Sequence, residues 1–358
     1  MAHILPQDIG LNQSFLQTCT ITLLAISLFM SVPTPVLKAI IENDSFLAHA
    51  HLGPDADSIG STLALKLGLE SVGKVVHVYC EDTIPEFASF LPHIDQFAVS
   101  TLGDALKVYD ADVYLSLDSA KWGLITHHTP VPELHLPLIN IDHHSDNHLD
   151  TPLAWVDNQY SSTAEMVFHL LTELEIDITP QIATCLLFGI LGDTGAFQNL
   201  NTDSNSLRIA AILKDKGGDY IQCLIELTRS QEFLELKAWQ PLLENLTLSS
   251  DGSFVYSTLS PEEIGSLKKS PQIGLFANAI IGKINGTKFG AVLAEKQPGI
   301  TKGALRSRHP DIDVTLIARL LSGGGHPGAA GFRLLKPLKE AKQDFLNAVE
   351  YLQKQGKI

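Results

Sequence analysis

The residues best suited to chemistry lie in four short polar segments of the chain. In the first segment His51 is followed by Asp55 after four residues and by Asp57 after two more. Imidazole and carboxylate donors together suit a divalent ion such as Mn²⁺. The same segment also fits a helix N-cap followed by solvated loop residues, because Asp is a favoured capping residue. Taken alone, this spacing leaves a metal site and a helix cap as alternatives.

Each of the other three segments follows a predicted secondary-structure element. Asp118 and the triplet at 142–144 follow apolar runs, and Asp193 follows a predicted apolar helix. Taken individually, Asp118 fits a strand-end cap and one histidine of the triplet fits a packed core residue. Together, four carboxylates and two imidazoles fit two divalent ions that share a bridging carboxylate, the arrangement used for phosphoester hydrolysis. The predicted metal ligands are His51, Asp55, Asp57, Asp118, His143 and Asp193.

These polar segments must be positioned by the elements that precede them. Strands are predicted at 45–48, 74–79, 113–117 and 138–141, and helices at 36–41, 61–69, 161–174 and 179–191. This alternation predicts an α/β fold with a mostly parallel sheet flanked by helices on both faces. Because the carboxyl ends of parallel strands meet at one edge of a sheet, the polar segments should converge there.

Composition and charge limit the class of protein and its partners. A chain of 358 residues with 45% hydrophobic and 18% charged residues is globular and long enough for about two domains. The net charge of −15 argues against tight, nonspecific binding of long nucleic acid, which needs a basic surface. The four cysteines are scattered without a Cys-x-x-Cys pair. This pattern predicts a reducing, cytoplasmic setting and no zinc site built on thiolates.

The N-terminal segment does not show the alternation of strands and helices predicted for the residues that follow it. Residues 15–32 are apolar but short for a membrane span, and no Lys or Arg precedes them as in a secretory signal. We therefore expect residues 1–31 to be an atypical apolar extension, with Met30 as a plausible true start. A weak membrane anchor is the alternative, and stable membrane association is not expected.

The second half of the chain predicts a connector and a smaller domain. Residues 207–245 read as a helical linker. Strands are predicted at 254–259, 289–294 and 303–308, helices at 314–321 and 338–353, and a Gly-rich segment at 323–331. Its consecutive glycines let the backbone approach a ligand closely, with N–H groups free to meet an anion. The predicted domains are 32–206 and 246–358.

From about residue 35 to 356 the chain resembles the DHH/DHHA1 phosphoesterases, most closely the branch of oligoribonucleases (nanoRNases) that also hydrolyse 3′-phosphoadenosine 5′-phosphate (pAp). The matching motifs are the His51–Asp57 segment, Asp118, the D-H-H triplet at 142–144 and the Asp193 of G-D-T-G. In the second domain an R-S strand at Arg306 precedes G-G-G-H-x-x-A-A-G. The resemblance implies a smaller α/β DHHA1 domain with a mixed sheet.

The resemblance also assigns roles within the site. It implies two Mn²⁺ ions, with Mg²⁺ or Co²⁺ as alternatives. One ion takes His51, Asp55 and Asp118, and the other takes Asp57, Asp118, His143 and Asp193. The implied catalytic residues are Asp118, Asp142, His143 and His144, with Asp142 orienting its neighbours. The implied substrate-binding residues are His144, Arg306, Arg308, Gly324, Gly325 and His326, although Arg308 fits a solvated surface residue equally well.

The implied activity is hydrolysis of short oligoribonucleotides to mononucleotides, of pAp to AMP, or of both. The implied partner is therefore short RNA or a small nucleotide, and a homodimer is left open. The alternatives are a phosphodiesterase for cyclic or linear dinucleotides, a processive single-strand DNA exonuclease, a family II pyrophosphatase and a catalytically silent nucleotide-binding module. Two residues depart from the family pattern: Ala56 stands where Gly is frequent, and Ala304 where Ser is usual.

Overall fold

The structure is a computed structural model that describes residues 32–228, 233–267, 270–307, 309 and 311–358. The chain divides into two compact units, Met1–Arg229 and Ser230–Ile358. This division falls inside the predicted linker at 207–245, and the other domain bounds stay predictions. The expected extension at 1–31 and the substrate-binding candidate Arg308 lie outside the described residues. No helix in the described part of the chain combines the length and apolar character that a membrane span requires.

Unit 1 alternates short strands with helices. Its strands are β1 (Ser45–His49), β2 (Val75–Cys80), β3 (Ala98–Val99), β4 (Val113–Leu117), β5 (Leu138–Asp142) and β6 (Leu153–Val156). Its helices are α1 (Thr34–Glu42), α2 (Ala56–Ser71), α3 (Leu102–Val108), α4 (Thr163–Glu173), α5 (Pro180–Asp193), α6 (Ser204–Asp215) and α7 (Tyr220–Thr228). Short 3₁₀ helices lie at Glu86–Ala88, Ile94–Gln96 and Trp122–Leu124.

The six strands of unit 1 form one parallel sheet in the order β3-β2-β1-β4-β5-β6. The predicted parallel sheet is therefore confirmed. The central strands are apolar runs buried on both faces, as β4 shows with five buried residues out of five. The strand order reverses between β1 and β4, the point where open α/β sheets bind ligands beyond the carboxyl ends of the strands. The first two polar segments, at 51–57 and at Asp118, follow these two strands.

A different set of elements covers each face of this sheet. On one face α2, α4 and α5 pack around Phe46, Leu63 and Leu186 in the larger core. On the other face α3 and the segment at 119–150 cover Leu47 and Tyr114. The second face also carries buried polar side chains, among them His49 and Ser116.

Two glycines bring α2 and α5 close enough to set the edge of the site. A Cβ atom on Gly189 would lie 2.5 Å from the Cβ of Ala164 and 2.7 Å from Oδ1 of Asp57, and one on Gly192 would overlap the Cβ of Ala56. Only glycine fits at these two positions without a shift of the helices. The close approach places Asp57, in the first turn of α2, beside the last turn of α5, where Asp193 lies.

Unit 2 consists of a second sheet with helices on both faces. Its helices are α8 (Phe233–Ala238), α9 (Gln240–Glu244), α10 (Pro261–Ser266), α11 (Ile273–Ala279), α12 (Thr315–Leu320) and α13 (Leu338–Lys354). Its strands are β7 (Thr247–Leu248), β8 (Phe254–Leu259), β9 (Phe289–Gln297), β10 (Ile300–Ser307), β11 (Gly324–His326) and β12 (Ala329–Leu334). A further 3₁₀ helix lies at Ile281–Lys283.

The sheet of unit 2 has the order β11-β12-β10-β9-β8-β7. The β8–β9 pair is parallel and the other pairs are antiparallel, which confirms the expected mixed sheet. Phe289, Leu305 and Phe345 belong to the core on one face of this sheet, and Val292 and Phe276 to the core on the other.

Part of the Gly-rich segment is a strand whose backbone is not free, unlike the expectation of free N–H groups. Gly324–His326 forms the edge strand β11, which pairs antiparallel with β12, and Gly323 N donates to the carbonyl of Ala318. Some of the backbone N–H and C=O groups of this segment are therefore already hydrogen-bonded within unit 2. Its pairing, with Gly324 opposite Gly331, could not be read from the local sequence because glycine runs have low strand propensity.

Candidate metal centre and active site

The loop after β1 is held rigidly by the start of α2. Asp55 is the N-cap of this helix, and its Oδ1 accepts hydrogen bonds from Asp57 N at 3.1 Å and Ser58 N at 3.0 Å. The backbone N of His51 donates to Ser58 Oγ at 2.9 Å, and Gly53 N donates to Asp82 Oδ2 at 2.7 Å. Asp55 is therefore a helix N-cap, one of the two predicted alternatives. Its carboxylate nevertheless lies beside His51.

His51 presents one ring nitrogen to two carboxylates. Its Nδ1 lies 3.0 Å from the carbonyl of Leu52, which assigns the proton to Nδ1 and directs Nε2 toward the site. Nε2 is 3.5 Å from Asp55 Oδ1 and 3.6 Å from Asp118 Oδ2. The donor atoms of His51, Asp55 and Asp118 lie within 4.8 Å of one another, as one metal ion requires.

A second set of donors lies on the other side of Asp118. Nε2 of His143 is 3.3 Å from Asp193 Oδ2 and 3.6 Å from Asp118 Oδ1. Asp57, His143 and Asp193 also have donor atoms within 4.8 Å of one another. Asp118 thus faces the first set with Oδ2 and the second with Oδ1, which is the position of a bridging carboxylate.

The residues present fit divalent ions. Nε2 of His143 is buried and makes no hydrogen bond, although it adjoins two carboxylates. A buried polar atom without a partner is costly, and a cation between it and the carboxylates would satisfy all three groups. The structure thus brings together the six predicted metal ligands in two adjoining groups of three, with Asp118 of the first group 3.6 Å from His143 of the second.

The electrostatics of the cluster also favour added positive charge. Burial and the nearby carboxylates of Asp118 and Asp193 raise the pKa of Asp57 well above its usual range. Burial also raises the pKa of Asp193, to about 7, against the opposing charge of His143. Burial alone would lower the pKa of His51, but Asp118 and Asp55 raise it to about 11. Without metal, protons therefore supply the compensating charge.

The D-H-H triplet supplies a positioned imidazole. Oδ1 of Asp142 lies 2.7 Å from Nδ1 of His144, and its Oδ2 accepts from Asn147 Nδ2 at 2.6 Å. Burial opposes the charged form of His144, but the hydrogen bond to Asp142 and the charge of Asp118 raise its pKa to about 9. In the metal-free protein His144 is therefore a cation near neutral pH. Its donor atoms also group with those of Asp118 and His143, so position alone permits a metal role as well.

In unit 2 the predicted substrate-binding residues share one row of the sheet. Arg306 pairs with Ala329 across β10 and β12, and His326 pairs with the same Ala329 across β12 and β11. Residues paired in this way point to one face of a sheet, so the positions of Arg306 and His326 lie about 10 Å apart on that face. Arg306 is fixed there because Nε donates to Asn278 Oδ1 and Nη1 to the carbonyl of Leu305.

Two family models and several relatives match this chain. The DHH family, N-terminal domain, matches residues 45–190, and the DHHA1 domain matches residues 251–355. A bifunctional oligoribonuclease and PAP phosphatase of Thermus thermophilus is 33% identical over 325 residues, which cover 89% of this chain and 93% of the relative. The chain belongs to the DHH/DHHA1 family. As predicted from the motifs, it is a phosphoester hydrolase.

Other relatives of this DHH/DHHA1 protein span nearly the whole chain. A bifunctional oligoribonuclease and PAP phosphatase of Bacillus subtilis is 26% identical over 307 residues, covering 83% of this chain and 92% of the relative. The crystal structure of an exopolyphosphatase-related protein from Bacteroides fragilis superposes with a TM-score of 0.81 at 25% identity. That match covers 92% of this chain and 100% of the other.

Residues at the start of α4, which the sequence motifs do not include, hold the DHH cluster. The N–H groups of Thr163 and Ala164 donate to Asp57 Oδ2 at 2.6 Å and Oδ1 at 2.9 Å. The hydroxyl of Thr163 donates to Asp118 Oδ1 at 3.1 Å. The capping signal here is real, since Ser162 accepts from the N–H of Glu165. A helix N-terminus attracts anions, and that general rule is the signal that could have found this contact.

The two departures from the DHH/DHHA1 pattern have structural explanations. Ala56 begins α2 without the positive φ that would require glycine, and its Cβ packs against Gly192. Ala304 is buried in the same core cluster as Val292 and Phe276. The methyl group at 304 therefore contributes to packing.

Proposed function

We propose that this chain is a manganese-dependent two-metal phosphoesterase that hydrolyses short oligoribonucleotides to mononucleotides and pAp to AMP. The convergence of six ligand-type side chains around Asp118, with an unpartnered His143 Nε2, carries the proposal. His51, Asp55 and Asp118 would hold one ion. Asp57, Asp118, His143 and Asp193 would hold the other. The names of the relatives in Thermus thermophilus and Bacillus subtilis support the substrate class.

When bound, the two ions supply Lewis acidity toward the phosphoryl oxygens and lower the pKa of a nucleophilic water. The protein contributes position and charge. Asp142 holds His144 through Nδ1, and the other nitrogen of the ring would contact a phosphoryl oxygen. This contact strengthens as negative charge builds up in the transition state. The N–H groups of Thr163 and Ala164 keep Asp57 in a single orientation for its ion.

The DHHA1 unit binds a phosphate group of the substrate through Arg306 and His326. The planar guanidinium of Arg306 can meet two phosphate oxygens, and Asn278 fixes its plane. Gly324 and Gly325 allow a nucleotide to approach the backbone of the edge strand closely because they carry no side chain. Arg308 is retained as a candidate from the sequence only. The acidic net charge of −15 favours substrates of a few nucleotides over long nucleic acid.

A substrate panel tests this proposal. Metal-free protein is supplied with Mn²⁺, Mg²⁺ or Co²⁺ and assayed on a dinucleotide, a five-mer RNA, pAp, linear and cyclic di-AMP, polyphosphate and long single-stranded DNA. We expect mononucleotides from the five-mer and AMP from pAp, fastest with Mn²⁺, and little cleavage of long DNA. Preferred turnover of cyclic di-AMP or polyphosphate would replace the proposed substrate class, and no turnover with any metal would contradict the enzyme assignment.

A further inference from the structure

A row of buried polar side chains lies behind the metal centre, on the sheet face covered by α3 and the segment at 119–150. His49 is at its middle, paired with Tyr79 in β2 and with Ser116 in β4. His49 is fully buried, and its ring stacks on Tyr114 with centroids 5.6 Å apart. Buried polar groups destabilise a fold unless they are hydrogen-bonded, so a continuous set of bonds here needs an explanation.

The hydrogen bonds of this row run in one direction. Ser119 Oγ donates to the carbonyl of Leu117 at 3.2 Å, so it must accept from His49 Nε2 at 3.1 Å. In the neutral ring Nδ1 is then the acceptor for the hydroxyl of Tyr114 at 2.9 Å. The oxygen of Tyr114 in turn accepts from Tyr79 at 2.7 Å. The tautomer of His49 is assigned from this network.

The chain of bonds ends on the two neighbours of Asp118. It reaches the carbonyl of Leu117 before Asp118 and the side chain of Ser119 after it. Asp118 itself has a φ of +54°, a left-handed conformation that costs a non-glycine residue about 1–2 kcal/mol. Such a conformation persists only where the surroundings hold it. Two such supports are the bond from Asp118 N to the carbonyl of Ile141, 3.0 Å long, and the bond from Thr163 Oγ1.

We propose that His49 is a positioning residue that keeps Asp118 in its bridging orientation, acting through the hydroxyl of Ser119. This inference rests on the proposed metal role of Asp118. His49 touches neither ion nor substrate in this account. Its backbone carbonyl accepts from the hydroxyl of Thr62 in α2, so the same residue also ties β1 to the helix that carries Asp57.

Mn²⁺ binding to metal-free protein, measured by calorimetry, tests the inference without relying on turnover. Ser119→Ala removes the acceptor for His49 with little change in volume. We expect Ser119→Ala and His49→Phe to bind Mn²⁺ about 10–100-fold more weakly, the usual effect of removing a group that orients a ligand. His49→Gln retains an N–H donor for Ser119 and should recover most of the affinity. In steady state, the loss should appear in kcat at saturating substrate more than in KM.

Ser116→Ala is the matched control. Ser116 lies in β4 on the same buried face, but its hydroxyl has no hydrogen-bond partner. Its removal should leave Mn²⁺ affinity within about twofold of wild type. Equal Mn²⁺ affinity in Ser119→Ala and wild type would overturn the inference while leaving the proposed function intact. A wild-type protein that binds no Mn²⁺ would instead overturn the proposed function and, with it, the role of His49. If His49→Phe fails to fold, Ser119→Ala decides alone.

Discussion

Replacing Asp118 with asparagine is expected to lower kcat/KM on a five-mer RNA by at least about 10³-fold, equivalent to about 4 kcal/mol of transition-state stabilisation. The two oxygens of Asp118 face different ligand sets, so the loss of its charge weakens both ions at once. Asparagine keeps the volume, accepts the bond from Thr163 and tolerates the φ of +54° at this position. The fold should therefore survive the substitution.

Two measurements distinguish loss of the metal site from unfolding of the variant. The metal-free Asp118→Asn variant should unfold cooperatively near the wild-type temperature, because the relieved repulsion with Asp57 and the lost attraction to His51 oppose each other. Asp95→Ala, which removes an exposed carboxylate elsewhere in unit 1, should keep wild-type activity. Mn²⁺-dependent turnover by Asp118→Asn within about tenfold of wild type would refute the bridging role.

Saturating Mn²⁺ is expected to raise the melting temperature of unit 1 by about 5–10 °C. A ligand at 100 times its Kd stabilises the fold by about 2.7 kcal/mol, and each kcal/mol shifts the melting temperature of a domain of this size by about 2–4 °C. Thermal unfolding followed by circular dichroism checks this. The same titration of Asp118→Asn should give a smaller shift, and an unchanged melting temperature for wild type would contradict metal binding in the folded state.

The rise in melting temperature caused by Mn²⁺ should become larger as pH rises from about 5.5 to 8. The pKa of Asp193 is raised to about 7 and that of Asp57 is also raised. In the metal-free protein these carboxyls therefore contribute stability at low pH that is lost as pH rises through their folded-state pKa values. Bound Mn²⁺ keeps both groups ionised and must displace their protons, which is easier at higher pH. A Mn²⁺-induced shift that shrank between pH 5.5 and 8 would contradict the assignment of Asp57 and Asp193.

Much of unit 1 could be predicted because the local sequence of most of its strands is sufficient to identify them. β4 and β5 are apolar runs followed directly by polar residues, so both the strands and the candidate ligands were visible locally. The start of α2 was predicted at residue 61 rather than at Ala56, because glycine and serine form helices poorly. Close packing of Gly60 against α5 overrides that propensity.

The contacts that were missed depend on distant parts of the chain. Asp57 meets the N–H of Thr163 across 106 residues, and a local capping signal is the same whether or not a helix faces an anion. The strands β3 and β6 were missed because they are short and only partly buried. The His49 hydrogen-bond chain needs the sheet register to be known, since it joins side chains from β1, β2 and β4.

Anomalous diffraction from crystals soaked in Mn²⁺ tests the metal centre most directly. A two-metal centre bridged by Asp118 should give two peaks per chain, about 3.5–4 Å apart, with Asp118 contacting both. One peak should lie against His51 and Asp55, and the other against His143 and Asp193. A single peak, or two peaks with Asp118 in contact with neither, would contradict it.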